Sequence, residues 1–295
     1  MKFLAKRIKG NSLWSDAMRR LLSDRLAVAS LIIVFLFLVI SLMTQFGIGI
    51  DDWKVVIGAS REAPTFAKGW KFWLGTDIFG RSMLLKALHG SYTALFIGVM
   101  SSVISIPIGM VLGAIAGYFG GWIDEVITWL YTTVSNIPEI LLLVAISFAI
   151  GSKGIVAVTI ALGTTTWVSL ARLIRGEVIK HKSRDYVTAA EAIGGSHFRR
   201  LFIHITPNVL HILMITFSLR FVTAIKSEVL LTYLGLGVRP GEASWGLMID
   251  DAKSELVQGM WWGMAGATIL MFLIVIAFSL LADAMRDAFD PKLRT

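Results

Sequence analysis

The sequence has few of the features that mark soluble or disulfide-stabilised proteins. It contains no cysteine, which excludes a disulfide framework and a thiolate metal site. Only 16% of its residues are charged, whereas a soluble domain has about 25%. Hydrophobic residues make up 56% of the 295, and long apolar runs of this kind are stable in lipid. The composition therefore predicts an all-α protein of the lipid bilayer that crosses the membrane several times.

The chain also lacks the G-x-x-x-x-G-K-[ST] loop that cradles nucleotide phosphates, and LGLGVRPG at 234–241 has neither its lysine nor its context. We therefore expect no ATP hydrolysis by this chain, no catalytic residues and no cofactor of its own. His197, His204 and His211 are spaced by seven, but Pro207 interrupts the helix between the last two. The prediction is that the chain binds no metal.

The net charge is +8, but the basic residues cluster in loops, which indicates topology rather than nucleic-acid binding. Six apolar segments are long enough to cross a bilayer, and the first is too long for a cleaved signal peptide. They are 26–45, 92–118, 126–150, 155–173, 208–232 and 262–284.

Lysine and arginine are dense in two places, residues 1–25 and the loop at 172–200, with seven in each. Six spans put these two regions on the same side, and both should then be cytoplasmic. The sequence thus predicts a multi-pass protein of the cytoplasmic membrane. Its parts are a cytoplasmic segment 1–25, a first span 26–45, an extracytoplasmic loop 46–91, a core domain 92–284 with five spans and a cytoplasmic loop 174–206, and a cytoplasmic tail 285–295.

Gly109, Gly113 and Gly117 recur every four residues, which places them on one face of the second span. Small residues on such a face let another helix approach closely. We expect tight packing here, with a role in gating as the alternative.

A short helix is predicted in the cytoplasmic loop, where YVTAAEAIGG (186–195) has an apolar face at helical spacing. Tyr186, Ala189, Ala190 and Ile193 form that face, Gly194 follows it, and Ser196 should cap a second short helix. An apolar face with two alanines suits a groove on another protein. The spacing equally suits a helix resting on lipid headgroups.

Four ionisable residues fall inside predicted spans: Glu139, Arg220, Lys226 and Glu228. Charges in hydrocarbon usually face a bundle interior or a water-filled path. Internal pairing, for instance between Lys226 and Glu228, and lining of a translocation path are the two interpretations.

In the extracytoplasmic loop, Asp77 and Arg81 flank Gly80. They suit a folded turn, or alternatively a contact surface for a partner protein. Trp245, Trp261 and Trp262 are expected to anchor the outer membrane interface.

The stretch RGEVIKHKSRDYVTAAEAIGGSHFRRLFIHITPN (175–208) resembles the coupling loop of permease subunits of bacterial ATP-binding-cassette importers. The similarity is greatest to the oligopeptide/dipeptide (and nickel) permease family. LGTDIFGRSMLLKALHGS (74–91), AGYFGGWIDEV (116–126), LLTYLGLGVRPGEASWG (230–246) and LADAMRDAFDPKLR (281–294) also resemble that family's stretches, in the same order. The resemblance thus covers nearly the whole chain.

In that family the loop carries an "EAA…G" pattern, matched here by Thr188, Ala189, Ala190 and Gly194, with threonine replacing glutamate. Leucine usually precedes the proline, where this chain has Thr206. The resemblance implies that the short helix docks into a groove on a cytoplasmic ATPase. It also implies a second homologous permease, two ATP-binding subunits holding ATP and Mg, and an extracytoplasmic substrate-binding protein.

The resulting prediction is the permease subunit of an ATP-driven importer for di- or oligopeptides, forming half of the translocation pore. A nickel or other small-solute importer of the same family is the alternative. A stand-alone secondary transporter, and a membrane protein that only recruits a partner, are the alternatives from other classes.

Overall fold

The computed structural model describes residues 13–289, and this range forms eleven α-helices without a β-strand. The predicted all-α membrane architecture is confirmed for these residues. The predicted terminal segments lie partly outside the described residues, at 1–12 and 290–295. The helices are α1 Leu13–Ser23, α2 Arg25–Phe46, α3 Met83–Phe119, α4 Gly121–Ser135, α5 Glu139–Ile150, α6 Ile155–Thr165, α7 Val168–Lys182, α8 Asp185–Ala192, α9 Thr206–Tyr233, α10 Trp245–Val257 and α11 Trp262–Phe289.

Five helical runs are long and apolar enough to cross a membrane: α2, α3, α6 with α7, the run Arg199–Tyr233, and α11. α3 is 37 residues long, or about 55 Å at 1.5 Å per residue. It connects two ends of the bundle. Residues 47–82 lie at one end, which we call the loop end. α8 lies at the other, which we call the α8 end.

The prediction that the third span, 126–150, is a single helix is wrong. The chain forms α4 and α5 instead, and the two are bent by 90° at residues 136–138. Pro138 precedes the first residue of α5 and has no N–H to continue the hydrogen-bond ladder of α4. The pair is therefore a broken span, and its bend leaves room for a cavity beside α7 and α9.

Two other boundaries differ from the prediction. α3 begins at Met83 rather than 92, because Ser82 caps it by accepting a hydrogen bond from the Leu85 N–H at 3.1 Å. The fourth span continues through α7 to Lys182, so the first part of the predicted loop 174–206 is helical. Both helices thus extend beyond their most apolar segments.

α3 lies at the centre of the bundle. Its side chains contribute to a buried cluster with α2, α9, α10 and α11, to a second with α7, α8 and α9, and to a third with α5, α6 and α9. Burial of apolar side chains on several sides holds the helices around it. Displacement of α3 would therefore disturb every cluster at once.

The glycine face of α3 lies directly against the backbone of α7. A Cβ atom added at Gly109 would lie 2.8 Å from the carbonyl oxygen of Trp167, and one at Gly117 would lie 2.6 Å from that of Arg175. Real Cβ atoms essentially never approach other atoms below 3.0 Å. The close approach expected from the sequence is present, and only glycine permits it.

Gly113→Ala should destabilise the bundle, because its new methyl group would overlap the carbonyl oxygen of Ala171. Overpacking of this kind costs about 1–3 kcal/mol. Gly176→Ala on α7 is the matched control, since a methyl group there meets open space and alanine favours the helix. Thermal unfolding in detergent should show a lower transition temperature for Gly113→Ala alone. Equal transition temperatures would contradict the packing described here.

Candidate functional site

Three regions carry the sequence-predicted residues: the α8 segment, defined as residues 185–205, a cavity at the α4–α5 bend, and the folded loop 47–82. The α8 segment begins where α7 ends. Asp185 lies in the first turn of α8, where an acid suits the helix dipole. Gly194 ends the helix at φ +81°, and the Gly195 N–H donates to the carbonyl oxygen of Ala190 at 2.8 Å.

The predicted docking face of α8 is only partly exposed. Ala190 is buried with Val187, which packs among side chains of α3, α7 and α9. Tyr186 and Ala189 are exposed, and Ile193 is 86% exposed. The exposed apolar face of α8 itself is therefore narrower than the sequence predicted.

The two residues that complete the matched pattern are also exposed. Thr188 directs its hydroxyl back to the carbonyl oxygen of Arg184 at 3.2 Å, and Gly194 lies open beyond the helix. The threonine thus satisfies its hydroxyl within its own helix.

Polar contacts fasten the α8 segment to the end of α3. Arg200 pairs with Glu191 at 2.5 Å and contacts the Nδ1 atom of His197 at 3.0 Å. The same Nδ1 atom lies 3.0 Å from the hydroxyl of Tyr118 on α3. Arg200 itself is buried. This chain of contacts, which we call the Glu191–Tyr118 link, was not found from the sequence, because His197 was considered there only as a metal ligand and Arg200 only as a loop charge.

The predicted second short helix is not separate. Residues Arg199–Ile205 form a π-helix that continues directly into α9, and Ser196 accepts a hydrogen bond from the Arg199 N–H at 3.3 Å. Pro207 cannot donate to the carbonyl of Ile203 and would crowd it in a regular helix. The wider π-turn precedes this interruption, as is common at functional sites. Arg200 of this π-helix pairs with Glu191 of α8, so the π-helix connects α8 to a membrane span.

A cavity of about 270 Å³ lies at the α4–α5 bend, bordered also by the α6–α7 junction and α9. Its charged lining consists of Glu139, Arg172 and Arg220, and its hydroxyl groups come from Ser135, Thr165, Thr166 and Ser169. Arg172 donates to Ser135 at 3.3 Å, and its guanidinium lies 5.2 Å from the ring of Tyr131. Sequence reasoning missed Arg172 here because it counted this residue as a loop charge.

The four predicted intramembrane charges do not come together. Glu139 and Arg220 share the cavity, whereas Lys226 is exposed on α9 and does not line it. Glu228 is 2% exposed and accepts hydrogen bonds from the hydroxyls of Thr232 at 2.9 Å and Ser244 at 2.7 Å. The pairing of Lys226 with Glu228, given as an example of one of the two interpretations, is not formed between these described residues. Glu228 instead joins α9 to the start of α10.

Asp77 and Arg81 form an ion pair at 2.6 Å. One carboxylate oxygen of Asp77 also accepts from the backbone N–H groups of Phe79 at 2.8 Å and Arg81 at 2.9 Å. Asp77 is buried, and the Arg81 guanidinium lies between the rings of Trp53 and Phe79. The geometry supports the folded-turn interpretation. The exposed side chains of the loop include four aromatic ones: Phe66, Trp70, Trp73 and Phe79.

The predicted position at the membrane interface is wrong for two of the three tryptophans. Trp245 and Trp262 are buried and donate to the carbonyl oxygens of Ala87 at 2.8 Å and Thr76 at 3.2 Å. Only Trp261 is exposed. The two buried indoles join α10 and α11 to the start of α3 and to the loop, so they fix the loop end of the bundle.

Acidic and basic groups meet beneath this loop. Buried Lys86 on α3 pairs with Asp251 on α10 at 3.0 Å. Burial, together with the neighbouring charge of Asp251, raises the pKa of the Glu255 carboxyl above its ordinary value. No group of three His, Asp or Glu side chains in residues 13–289 is arranged to hold a metal ion.

Arg200→Gln should loosen the α8 segment, because it removes the ion pair with Glu191 and leaves that carboxylate without its partner. We expect trypsin to cleave after Lys182 and Arg184 several-fold faster, as measured by mass spectrometry of the digests. Arg199→Gln, at the neighbouring exposed arginine, is the matched control and should leave the rate unchanged. Equal rates in both variants would show that the Glu191–Tyr118 link does not hold the segment.

Residues 109–295 match the family described as "Binding-protein-dependent transport system inner membrane component". Residues 12–48 match the "N-terminal TM domain of oligopeptide transport permease C". The oligopeptide transport system permease protein OppC of Bacillus subtilis is 33% identical over 286 residues, which covers 97% of this chain and 92% of that protein.

Two further relatives align over similar lengths. The dipeptide transport system permease protein DppC of B. subtilis is 33% identical, with 95% of this chain and 86% of that protein covered. The glutathione transport system permease protein GsiD of Pectobacterium atrosepticum is 32% identical, with 96% and 92% covered. With its bundle of membrane-spanning helices, the chain belongs to the family of inner-membrane permease components of binding-protein-dependent transport systems.

Proposed function

We propose that this chain forms half of the translocation pore of an ATP-driven importer for di- or oligopeptides. The second half is a homologous permease. Two cytoplasmic subunits bind ATP and Mg and supply the energy, so this chain performs no hydrolysis itself. A substrate-binding protein delivers the peptide on the opposite side of the membrane.

The observation that carries this proposal is the similarity of nearly the whole chain to permeases named for oligopeptide, dipeptide and glutathione transport. Their names favour a peptide over nickel, which stays the alternative cargo. The nucleotide-binding loop missing from the sequence fits a division of labour with separate ATPases.

The α8 segment is proposed as the ATPase contact, on the cytoplasmic side, where the basic residues lie. Tyr186, Thr188, Ala189 and Ile193 supply its exposed surface, and Gly194 lets the chain turn away. Ala190 serves differently, because its burial anchors α8 to the bundle. The Glu191–Tyr118 link and the π-helix then transmit movement of α8 to α3 and α9.

The cavity at the α4–α5 bend is proposed as part of the translocation path. It places Glu139 and Arg220 at a polar site within the span region, as expected of charges that face water rather than lipid. The path roles predicted for Lys226 and Glu228 are not carried into this proposal, because neither residue lines the cavity.

The folded loop 47–82 is proposed to receive the substrate-binding protein. Asp77 and Arg81 contribute by holding the loop in shape, since Asp77 is buried in the turn. Direct contact is assigned to the exposed aromatic side chains of the loop, which are of the type enriched in protein interfaces.

Ala189→Trp should abolish ATP-dependent peptide uptake while leaving the chain folded in the membrane, because the indole would project from the exposed side of α8 into the proposed ATPase groove. Ala189→Ser is the matched control and should transport normally, since it adds only a hydroxyl. The measurement is uptake of a labelled tetrapeptide by vesicles containing the complex purified with this chain.

Mild detergent extraction of the tagged chain should first recover ATPase subunits and a second permease. Recovery of the chain alone, with uptake that follows an ion gradient instead of ATP, would contradict the proposal and favour a secondary transporter. Normal uptake by Ala189→Trp would contradict the role given to α8.

A further inference from the structure

Arg220 is the unusual charge of the cavity. It lies in the middle part of α9, a membrane-spanning helix, and is half-buried. It forms no ion pair or hydrogen bond with any of the described residues 13–289. A guanidinium in a span normally pairs with an acid or faces water. Arg220 therefore presents its hydrogen-bond donors to the cavity without a partner of this chain.

The cavity carries more positive than negative charge. Arg172 enters it from α7 and is steadied by Ser135 and by the ring of Tyr131. Glu139 is the single acidic side chain in the lining. Two arginines facing one glutamate leave a net positive charge, which favours an anionic ligand.

Pairing between Glu139 and Arg220 does not account for the arrangement. Glu139 is exposed and forms no ion pair with any of the described residues, although it is near enough to attract Arg220 electrostatically. The carboxylate thus sits beside the arginine without neutralising it through direct contact. A ligand with a negative and a positive end could meet both groups.

We propose that Arg220, assisted by Arg172, forms a subsite for the C-terminal carboxylate of a peptide in transit. A guanidinium binds a carboxylate through two parallel N–H···O bonds, and every unmodified linear peptide carries this group whatever its side chains. The subsite thereby recognises peptides as a class. This inference rests on the proposed function, because it assigns the ligand chemistry of that same path.

The volume of the cavity suits the terminal group of a peptide rather than a whole peptide. Small-molecule pockets occupy about 300–1,000 Å³, and this cavity holds about 270 Å³. It therefore has room for the end of a peptide, while the rest extends towards the second permease. The Ser169 hydroxyl offers a further hydrogen bond, whereas the hydroxyls of Thr165 and Thr166 already donate to the carbonyl oxygens of Ala161 and Leu162 at 2.8 Å.

The test compares tetra-alanine with tetra-alanine amide, which lacks the terminal carboxylate. Each is offered with its binding protein to vesicles holding the complete complex, with either the unaltered chain, Arg220→Gln or Arg220→Lys. Uptake by each variant is divided by uptake by the unaltered complex for the same peptide, so that the preference of the binding protein cancels. Arg19→Gln, at an exposed arginine of α1, is the control for loss of one positive charge.

We expect Arg220→Gln to lower uptake of the free-acid peptide by about tenfold or more, since hydrogen bonds to charged groups are of that strength. Uptake of the amide should change little, and Arg220→Lys should restore part of the free-acid uptake. Arg172→Gln should shift the ratio in the same direction. It also provides a second variant if the Arg220→Gln complex does not assemble.

An equal fall in uptake of both peptides would overturn the inference, because a structural role or a bound lipid phosphate affects them alike. Unchanged uptake of both peptides would also overturn it while leaving the proposed function standing. Absence of ATP-dependent uptake by the unaltered complex would overturn the proposed function, and the subsite with it.

Discussion

The direct backbone contact between α3 and α7 is the constraint on which the rest of the structure depends. Gly109, Gly113 and Gly117 bring the two helices together without intervening side chains. Hydrocarbon supplies no hydrophobic force between helices, so this close packing must hold them. At one end it places Tyr118 against the α8 segment, and the other face of α7 borders the cavity. One rigid pair thus connects the proposed ATPase contact with the proposed path.

Ion pairs hold buried charged groups at both ends of the bundle. At the loop end, Asp77 and Lys86 are buried and paired. At the α8 end, Arg200 is buried and paired with Glu191. In the cavity, by contrast, Arg220 is left without a partner among the described residues. Because unpaired charge is costly inside a membrane, an arginine in this position supports the proposed ligand site.

Sequence reasoning predicted the features that depend on local pattern. Apolar length gave the spans, helical spacing gave α8, and Gly194 marked its end. It failed where the outcome depends on the three-dimensional direction of a helix or of a side chain. Pro138 lies inside the predicted third span, but hydropathy carries no sign of a 90° bend there. Ala190 was placed on the exposed face, although α8 is turned so that this residue packs inward. Trp245 and Trp262 were taken for interfacial anchors, because their partners lie far away in the sequence.

The central claim is that movement of the α8 segment changes the cavity. Because the chain has no cysteine, Ser169→Cys would place a single thiol of this chain in the cavity lining. The most direct measurement is its labelling rate by a water-soluble thiol reagent in the assembled complex, with and without a non-hydrolysable ATP analogue. The account predicts that the rate differs clearly between the two states, and that Ala189→Trp removes the difference. The same labelling rate in both states of the Ser169→Cys complex that keeps Ala189 would contradict it.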